Sequence, residues 1–192
     1  GAEAASAGEF QRALEAEGHP ESSHPALVVA GTNGKGGTAS YLAGILQAHG
    51  LSVGLYTSPP LIDLAERFRV GGRPVSQNLL LRIGRDVVER YAPDSSNTPD
   101  LSYFELTTLI AAKSFEARDV DIAVYEVGLG GRYDAVNAIE PAVSVITNVD
   151  RDHTDYLGDT IEEISREKAG VARADRPLVI GRQDHEAAVQ TL

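Results

Sequence analysis

The sequence predicts an α/β fold in which helices cover both faces of a mostly parallel sheet. Short valine-rich runs, such as Ala26–Ala30 and Val120–Val127, alternate with longer segments of helical period. This alternation is typical of βαβ units. A glycine-rich stretch, GTNGKGGT at residues 31–38, separates the first run from a helix. Phosphate-binding loops occupy this position, so the prediction is a P-loop NTPase-like fold.

The first elements follow from composition and punctuation. Residues 2–17 are rich in alanine and glutamate and place Phe10, Ala13 and Leu14 on one face of a helix. The Gly-His-Pro sequence that follows ends this helix. The run Ala26–Ala30 is short, apolar and bounded by proline and glycine, as expected of a buried strand.

The later elements are predicted from the same signals of apolar period, turn residues and caps. In chain order they are a helix over Lys35–His49 closed by Gly50, a strand over Ser52–Tyr56, an irregular segment with a hairpin over residues 61–76, a helix over Gln77–Tyr91, a loop over Ala92–Asp100, a helix over Tyr103–Ala117, strands over Val120–Val127 and Ala142–Thr147, a helix over Thr160–Ala172 with Asp159 as N-cap, a strand over Pro177–Ile180 and a helix from Asp184.

Composition limits the function classes. The chain has 192 residues, of which 42% are hydrophobic, and residues 1–192 read as a single domain without a linker. A net charge of −11 argues against nucleic acid as a partner, because phosphate binding needs a basic face. Cysteine is absent, which excludes disulfides and thiolate metal sites and is compatible with a cytoplasmic location. No membrane partner is expected, since no apolar run approaches ~18 residues.

The glycine loop suits a small anionic ligand. Backbone N–H groups and the positive end of the following helix cradle phosphate, and Lys35 would reach the β- and γ-phosphate oxygens. The pattern departs from the standard string, which has a hydroxyl residue after the lysine, whereas Gly36 stands here. The alternative is an ordinary glycine-rich turn with an exposed lysine.

Four ordered motifs then point to a family. They are GTNGKGGTA, GLYTSPPLIDLAERFRV, EVGLGGRYDAVN and ITNVDRDHTDYLGDTIEEISREKAG, and they extend from residue 31 to residue 170. Together they resemble the folylpolyglutamate synthase and dihydrofolate synthase branch of the Mur ligases. The resemblance implies an ATP-dependent ligase that joins glutamate to folate or dihydropteroate through an acyl phosphate. It also implies a central ATPase domain, incomplete here, and a C-terminal domain absent from this chain or carried by a second one.

The resemblance also assigns the nucleotide and metal sites. It implies that ATP binds to the glycine loop, residues Gly31, Thr32, Asn33, Gly34, Lys35, Gly36, Gly37 and Thr38. It further implies that Mg²⁺ is held by Ser58, Glu126 and His153, with a second ion on a carbamylated Lys168 of the REKAG motif. Lys35, His153 and Lys168 are therefore the expected catalytic residues.

The residues alone support this assignment unevenly. Ser58, Glu126 and His153 each follow a predicted strand, and ligands of open α/β sheets bind at that edge. Carboxylate and hydroxyl oxygens suit Mg²⁺, but imidazole is an unusual ligand for it. On pattern alone His153 is more simply a loop histidine held by Asp150 or Asp155.

The substrate side rests on Phe104 and Asp134. By resemblance, Phe104 stacks on a pterin ring and Asp134 bonds to its amino edge. The alternative is that Phe104 belongs to the core and Asp134 caps a turn. Residues 58–69 would form a mobile substrate loop.

Two departures keep other functions open. Gly37 stands where the family has serine, and Pro60 where it often has histidine. One alternative is therefore a nucleotide- or folate-binding module without catalysis, and the isolated chain is expected to be inactive in that case. The others are a Mur-type ligase with a different carboxylate substrate and a regulatory P-loop ATPase or GTPase.

Overall fold

The strands form one sheet in the computed structural model, which describes residues 2–93 and 99–192 and the side chains from residue 8 onward. Within these ranges the sheet has seven strands in the order β4-β3-β2-β5-β1-β6-β7. Strands β2, β5, β1, β6 and β7 are parallel, while β3 and β4 are antiparallel. The strands are β1 Ala26–Ala30, β2 Val53–Tyr56, β3 Phe68–Val70, β4 Arg73–Pro74, β5 Ile122–Glu126, β6 Pro141–Ile146 and β7 Leu178–Ile180.

The helices occur where the sequence predicts them, with one addition. They are α1 Ala2–Ala16, α2 Lys35–Ala48, α3 Gln77–Tyr91, α4 Tyr103–Glu116, α5 Thr154–Leu157, α6 Ile161–Ala169 and α7 Glu186–Thr191. The short helix α5 was not predicted, because a single turn carries no apolar period. The predicted loop 92–100 falls partly outside the described residues, at 94–98.

The ends of the helices confirm one cap and correct another. Gly50 has φ +88° after α2, and the amides of Gly50 and Leu51 donate to the carbonyls of Gln47 and Leu46. This is the predicted glycine C-cap, in its two-bond form. The predicted N-cap Asp159 is wrong: the Thr160 hydroxyl accepts from the Glu163 amide at 3.2 Å in a capping box.

Helices cover both faces of the sheet, as predicted. On one face α2 packs Ala39 and Ala43 against Val29, Val53 and Leu55. The opposite face carries the larger core, in which α1, α3, α4, α6 and α7 bury the aromatic and aliphatic side chains. Burial on both faces explains why the central strands read as continuous apolar runs.

The parallel strands bring their carboxyl ends to one edge. Val29 of β1 lies opposite Glu126 of β5, and Tyr56 of β2 lies opposite Tyr125. The loops that follow β1, β2, β5 and β6 therefore meet at this edge, where open α/β sheets bind ligands. None of the helices in the described part of the chain has the length and apolar character needed to span a bilayer.

Candidate functional site

The glycine loop is fixed to the end of β6. The Thr32 amide donates to the Asn148 carbonyl and the Asn33 amide to the Asn148 side chain, both at 2.8 Å. The Thr147 hydroxyl donates to the Asn33 carbonyl at 2.7 Å. Gly31 has φ +140°, and a Cβ there would lie 1.8 Å from the Thr147 hydroxyl oxygen. Only glycine fits at this position, and the loop is therefore preorganised.

Two lysines converge on one carbonyl of this loop. Lys35 Nζ donates to the carbonyls of Gly31 at 3.1 Å and Thr32 at 3.2 Å. Lys168 Nζ donates to the same Gly31 carbonyl at 3.0 Å, although Lys168 belongs to α6 and is only 2% exposed. Burial, together with the charge of Lys35, lowers the pKa of Lys168 to about 8. Two ammonium groups at one loop form a strongly anion-attracting site.

Glu126 faces the same loop from the end of β5. Its side chain is buried, with the residue 3% exposed, and Oε2 accepts from the Ser58 amide at 2.9 Å. A Cβ on Gly36 would lie 3.3 Å from the carboxylate, so glycine there lets α2 approach it closely. Burial raises the pKa of Glu126, while the Ser58 amide and the charges of Lys35 and Arg67 act in the opposite direction. The structure thus joins Glu126, Ser58 and the glycine loop in one cleft.

His153 lies at the start of α5 with φ +49° and is more than half exposed. Its Nε2 lies 3.6 Å from the Asp152 carboxylate. The suggested partner Asp150 instead lies 3.2 Å from Nε2 of His185. No described contact joins His153 to Glu126 or Ser58, so its role as a metal ligand stays a prediction.

The donor set at Glu126 and Ser58 fits Mg²⁺. Carboxylate and hydroxyl oxygens are the hard ligands that this ion prefers. The described residues contain no group of three or more His, Cys, Asp or Glu side chains suited to a metal. Such a group is not required here, because the predicted set includes only two residues of those types and leaves room for water and phosphate oxygens.

A cavity of about 450 Å³ opens beside this cleft. Phe104 lines it, and a Cβ on Gly128 would lie 2.6 Å from the Phe104 ring, so the ring rests directly on the loop after β5. Asp134 also lines the cavity and accepts from the amides of Gly128 and Leu129, each at 3.0 Å, and of Val136 at 2.9 Å.

The bonds of Asp134 confirm the capping alternative without excluding a ligand. Its carboxylate caps the turn at residues 135–138. Burial raises the pKa of Asp134 to about 6, although the three backbone amides lower it. Each carboxylate oxygen has further lone pairs, so the group can still accept from a ligand in the cavity. Phe104 likewise packs against the core while presenting part of its ring to the cavity.

Sequence reasoning missed Arg67, Thr147 and Asn148. Arg67 is 5% exposed and lines the cavity. Its position in the motif LAERFRV gave no sign of burial, since arginines at strand starts are ordinarily solvated. Thr147 and Asn148 follow β6 directly, and their position at the binding edge was the available signal.

Gly37 and Pro60, the two departures from the family pattern, lie at uncrowded and half-buried positions respectively. Nothing lies within 4 Å of a Cβ placed on Gly37, so a serine would fit there. Pro60 is half-buried after the cis Ser58–Pro59 peptide bond. The Ser58 amide, two residues before Pro60, donates to Glu126 at 2.9 Å.

Comparison with known proteins gives consistent results. The family model described as Mur ligase middle domain matches residues 29–189. The dihydrofolate synthase/folylpolyglutamate synthase of Bacillus subtilis is 40% identical over 184 residues, which are 94% of this chain and 42% of that protein. The probable bifunctional folylpolyglutamate synthase/dihydropteroate synthase of Halobacterium salinarum is 43% identical over 185 residues, 91% of this chain and 23% of its own length.

Solved structures agree in fold. FolC of E. coli, in complex with DHPP and ADP, superposes with a TM-score of 0.84 at 36% identity, covering 95% of this chain and 43% of FolC. Folylpolyglutamate synthase of Mycobacterium tuberculosis, complexed with ADP and AMPPCP, gives a TM-score of 0.86 at 36% identity. The match covers 97% of this chain and 44% of that one. The chain therefore spans less than half the length of these relatives. It belongs to the Mur ligase middle-domain family, and the relatives that it matches in sequence and structure are folylpolyglutamate and dihydrofolate synthases.

Proposed function

We propose that the chain is the ATPase portion of an ATP-dependent ligase that adds L-glutamate to folate or dihydropteroate. One observation carries the proposal: a preorganised glycine loop with two lysines meets a buried carboxylate at the strand ends, beside a cavity lined by an aromatic ring. Support also comes from the relatives, whose structures contain ADP, AMPPCP and DHPP.

The chain's residues would act by positioning and by charge neutralisation. The glycine loop and the N-terminus of α2 would hold the triphosphate, and Lys35 would neutralise charge on the γ-phosphoryl oxygens. Ser58, Glu126 and His153 would hold Mg²⁺, which supplies Lewis-acid neutralisation of the same phosphate oxygens. Phe104 and Asp134 would hold the pterin of the acceptor in the cavity.

The proposed reaction has two steps. The acceptor's carboxylate oxygen attacks the γ-phosphorus, and the bond to the β–γ bridging oxygen breaks to release ADP. The amine of glutamate then attacks the acyl carbon, phosphate leaves, and the nitrogen loses a proton. No described residue is assigned to glutamate, and we propose that a C-terminal domain, in this polypeptide or a second chain, supplies its site. A cytoplasmic location is part of the same proposal.

Lys168 is proposed to be carbamylated. Carbamylation requires a neutral amine that attacks CO₂, and a pKa lowered to about 8 makes this form accessible near neutral pH. The carbamate would keep one N–H for the Gly31 carbonyl, exchange a positive charge for a negative one beside Lys35 and offer oxygens to a second Mg²⁺.

A binding module is the second candidate. The observation that favours it is Gly37, which leaves the loop without the hydroxyl that the family has at this position. A module would bind ATP and Mg²⁺ at equilibrium but form no amide product when dihydropteroate and glutamate are supplied.

The substitution Lys35→Ala tests the proposal in the complete protein. Loss of one cation at the γ-phosphate is expected to cost at least ~2.7 kcal/mol of transition-state stabilisation, which is about 100-fold in ATP turnover. The measurement is ADP release with dihydropteroate, glutamate and Mg²⁺ present. Arg82→Ala, an exposed cation on α3, is the matched control and should keep full turnover. Unchanged turnover in Lys35→Ala would overturn the assignment of the phosphate loop.

A further inference from the structure

Arg67 is a buried cation that forms no ion pair with a carboxylate in the described part of the chain. It ends the turn Leu64–Arg67 before β3, and the residue is 5% exposed. None of the ion pairs between described residues includes it. Its Nε is buried with no hydrogen-bond partner in the described ranges. A guanidinium buried in this way is costly unless an anion completes its surroundings.

Aromatic rings hold Arg67 without satisfying its N–H groups. The guanidinium carbon lies 5.9 Å from the ring centroid of Tyr56, 5.5 Å from that of Tyr103 and 5.8 Å from that of Phe104. Cation–π contacts of this kind stabilise the charge through the ring faces. They provide no acceptor in the plane of the guanidinium, so the rings satisfy none of its N–H donors.

Thr107 fixes the orientation of the guanidinium. The Thr107 hydroxyl donates its proton to the Phe104 carbonyl at 3.0 Å, which leaves only lone pairs for its other partners. It therefore accepts from Arg67 Nη1 at 3.0 Å and from the Tyr56 hydroxyl at 2.8 Å. One corner of the guanidinium is anchored to α4, and the side chain is held in place before any ligand binds.

The anchored side chain lies in the wall of the cavity. Ser58, Phe104 and Asp134 line the same cavity. Burial raises the pKa of Glu126, and the charges of Lys35 and Arg67 act against this rise, so the charge of Arg67 reaches the carboxylate. The cavity thus has a cationic group at Arg67, carboxylates at Glu105, Asp134 and Glu167, and a connection to the glycine loop through Ser58 and Glu126. A ligand with a donor-bearing ring and an anionic group would match both features.

We propose that Arg67 binds the carboxylate of the acceptor substrate and so places the oxygen that is to be phosphorylated. The planar guanidinium can donate two N–H groups to one carboxylate, which fixes both distance and orientation. The proposal rests on the proposed function, since it names the group that recognises the reactive end of the acceptor.

A ligand-by-variant binding cycle tests the proposal. The complete protein is titrated with dihydropteroate and with the analogue that lacks the carboxylate, and the dissociation constants are measured by calorimetry. In the wild-type protein, loss of the ligand carboxylate should weaken binding on the order of 10–100-fold, the range for hydrogen bonds to charged groups. In Arg67→Met the two ligands should bind with equal affinity. Arg69→Met, which removes a half-buried arginine bonded to the Glu66 carbonyl, should keep the wild-type discrimination.

The outcomes are distinguishable. If Arg67→Met weakens the binding of both ligands by the same factor, Arg67 merely supports the cavity and the proposal is overturned. If the wild-type protein binds neither ligand, the acceptor assignment itself fails. Should Arg67→Met not fold, as judged by its thermal transition, Arg67→Lys provides the test. Lysine keeps the charge but not the two-donor geometry, so the ratio of the two ligands' dissociation constants should fall several-fold. An unchanged ratio would contradict the proposal.

Discussion

Two buried glutamates of this protein have opposite surroundings. Glu17, which follows α1, has a side chain 4% exposed that accepts from Lys113, from Arg90 at 3.1 Å and from the Tyr91 hydroxyl at 2.7 Å. Glu126 is buried as deeply, yet the bonds described for its carboxylate come from backbone amides. Burial tends to raise the pKa of both, but bonds from Lys113 and Tyr91 leave that of Glu17 lowered, whereas that of Glu126 is raised.

The difference separates a structural charge from one that we propose to be functional. At Glu17 the protein completes the surroundings of the carboxylate and thereby joins α1 to α3 and α4. At Glu126 the described donors are backbone amides, which suits the proposed role of the carboxylate in holding a cation. Buried groups whose pKa shifts are set by burial and incomplete pairing concentrate at functional sites. The comparison therefore predicts that loss of the charge lowers the unfolding free energy at Glu17 but not at Glu126.

The largest effect is expected for Glu17→Ala. It leaves Lys113, which is 19% exposed, without its main partner and should lower the unfolding free energy by about 3 kcal/mol at pH 7. Because the pKa of Glu17 is lower in the folded state, its contribution is complete above the ordinary value of 4.5 and is lost as pH falls through the folded value.

Chemical denaturation of the wild-type and Glu17→Ala proteins at pH 7 and below pH 4.5 measures this difference in unfolding free energy. The exposed neighbour provides the control, as Glu15→Ala should change the unfolding free energy by less than about 0.5 kcal/mol. If the difference in unfolding free energy stays constant over this pH range, packing and not charge pairing explains the role of Glu17.

A smaller effect is expected at His24, a buried group with neutral partners. Ser23 donates its hydroxyl proton to the Pro20 carbonyl at 2.7 Å, so it accepts from His24 Nδ1 at 2.9 Å. His24 Nε2 then accepts from the Tyr125 hydroxyl at 2.9 Å. The imidazole is therefore neutral, and burial lowers its pKa from 6.5 to about 4.

Acid should destabilise the protein through this histidine. Between pH 6.5 and pH 4 the unfolded chain binds a proton at His24 that the folded chain does not, so stability falls as pH falls. From pH 6.5 to pH 5 the loss is about 1.6 kcal/mol, because the full slope of ~1.4 kcal/mol per pH unit is reached only below pH 6.5. His24→Gln should lack this loss in denaturation experiments, while His49→Gln, at an exposed site, should retain it. Equal pH dependence in all three proteins would contradict the assignment.

The smallest effect on stability is expected for Glu126→Gln. Glutamine keeps an acceptor for the Ser58 amide and removes a charge whose burial is unfavourable. The unfolding free energy of the nucleotide-free protein should therefore not decrease at pH 7. A loss comparable to that of Glu17→Ala would remove the distinction between the two glutamates.

Local patterns predicted most of the fold, because they encode it directly. The valine-rich runs gave the parallel strands, and Gly50 gave the end of α2. Asp159 was the wrong cap because its neighbour Thr160 supplies an equally suitable oxygen one residue later. The hairpin of β3 and β4 followed from the glycines at its turn.

The site was predictable only in part, since long-range contacts leave no local signal. Glu126 and the glycine loop were found from their positions at strand ends. The burial of Arg67 depends on Thr107 and three rings, two of them from α4, and the contact of Lys168 with Gly31 joins residues 137 positions apart. No spacing in the sequence indicates either arrangement.

The Mg²⁺ dependence of ATP binding tests the central claim most directly. Calorimetric titration of the wild-type protein with ATP should show tighter binding with Mg²⁺ than with EDTA, because Glu126 would help to hold an ion that neutralises the triphosphate. In Glu126→Gln the affinity without metal should be unchanged or higher, and the gain from Mg²⁺ should fall by a factor of ten or more, on the order of one lost charge-assisted contact. An identical gain from Mg²⁺ in both proteins would contradict the account.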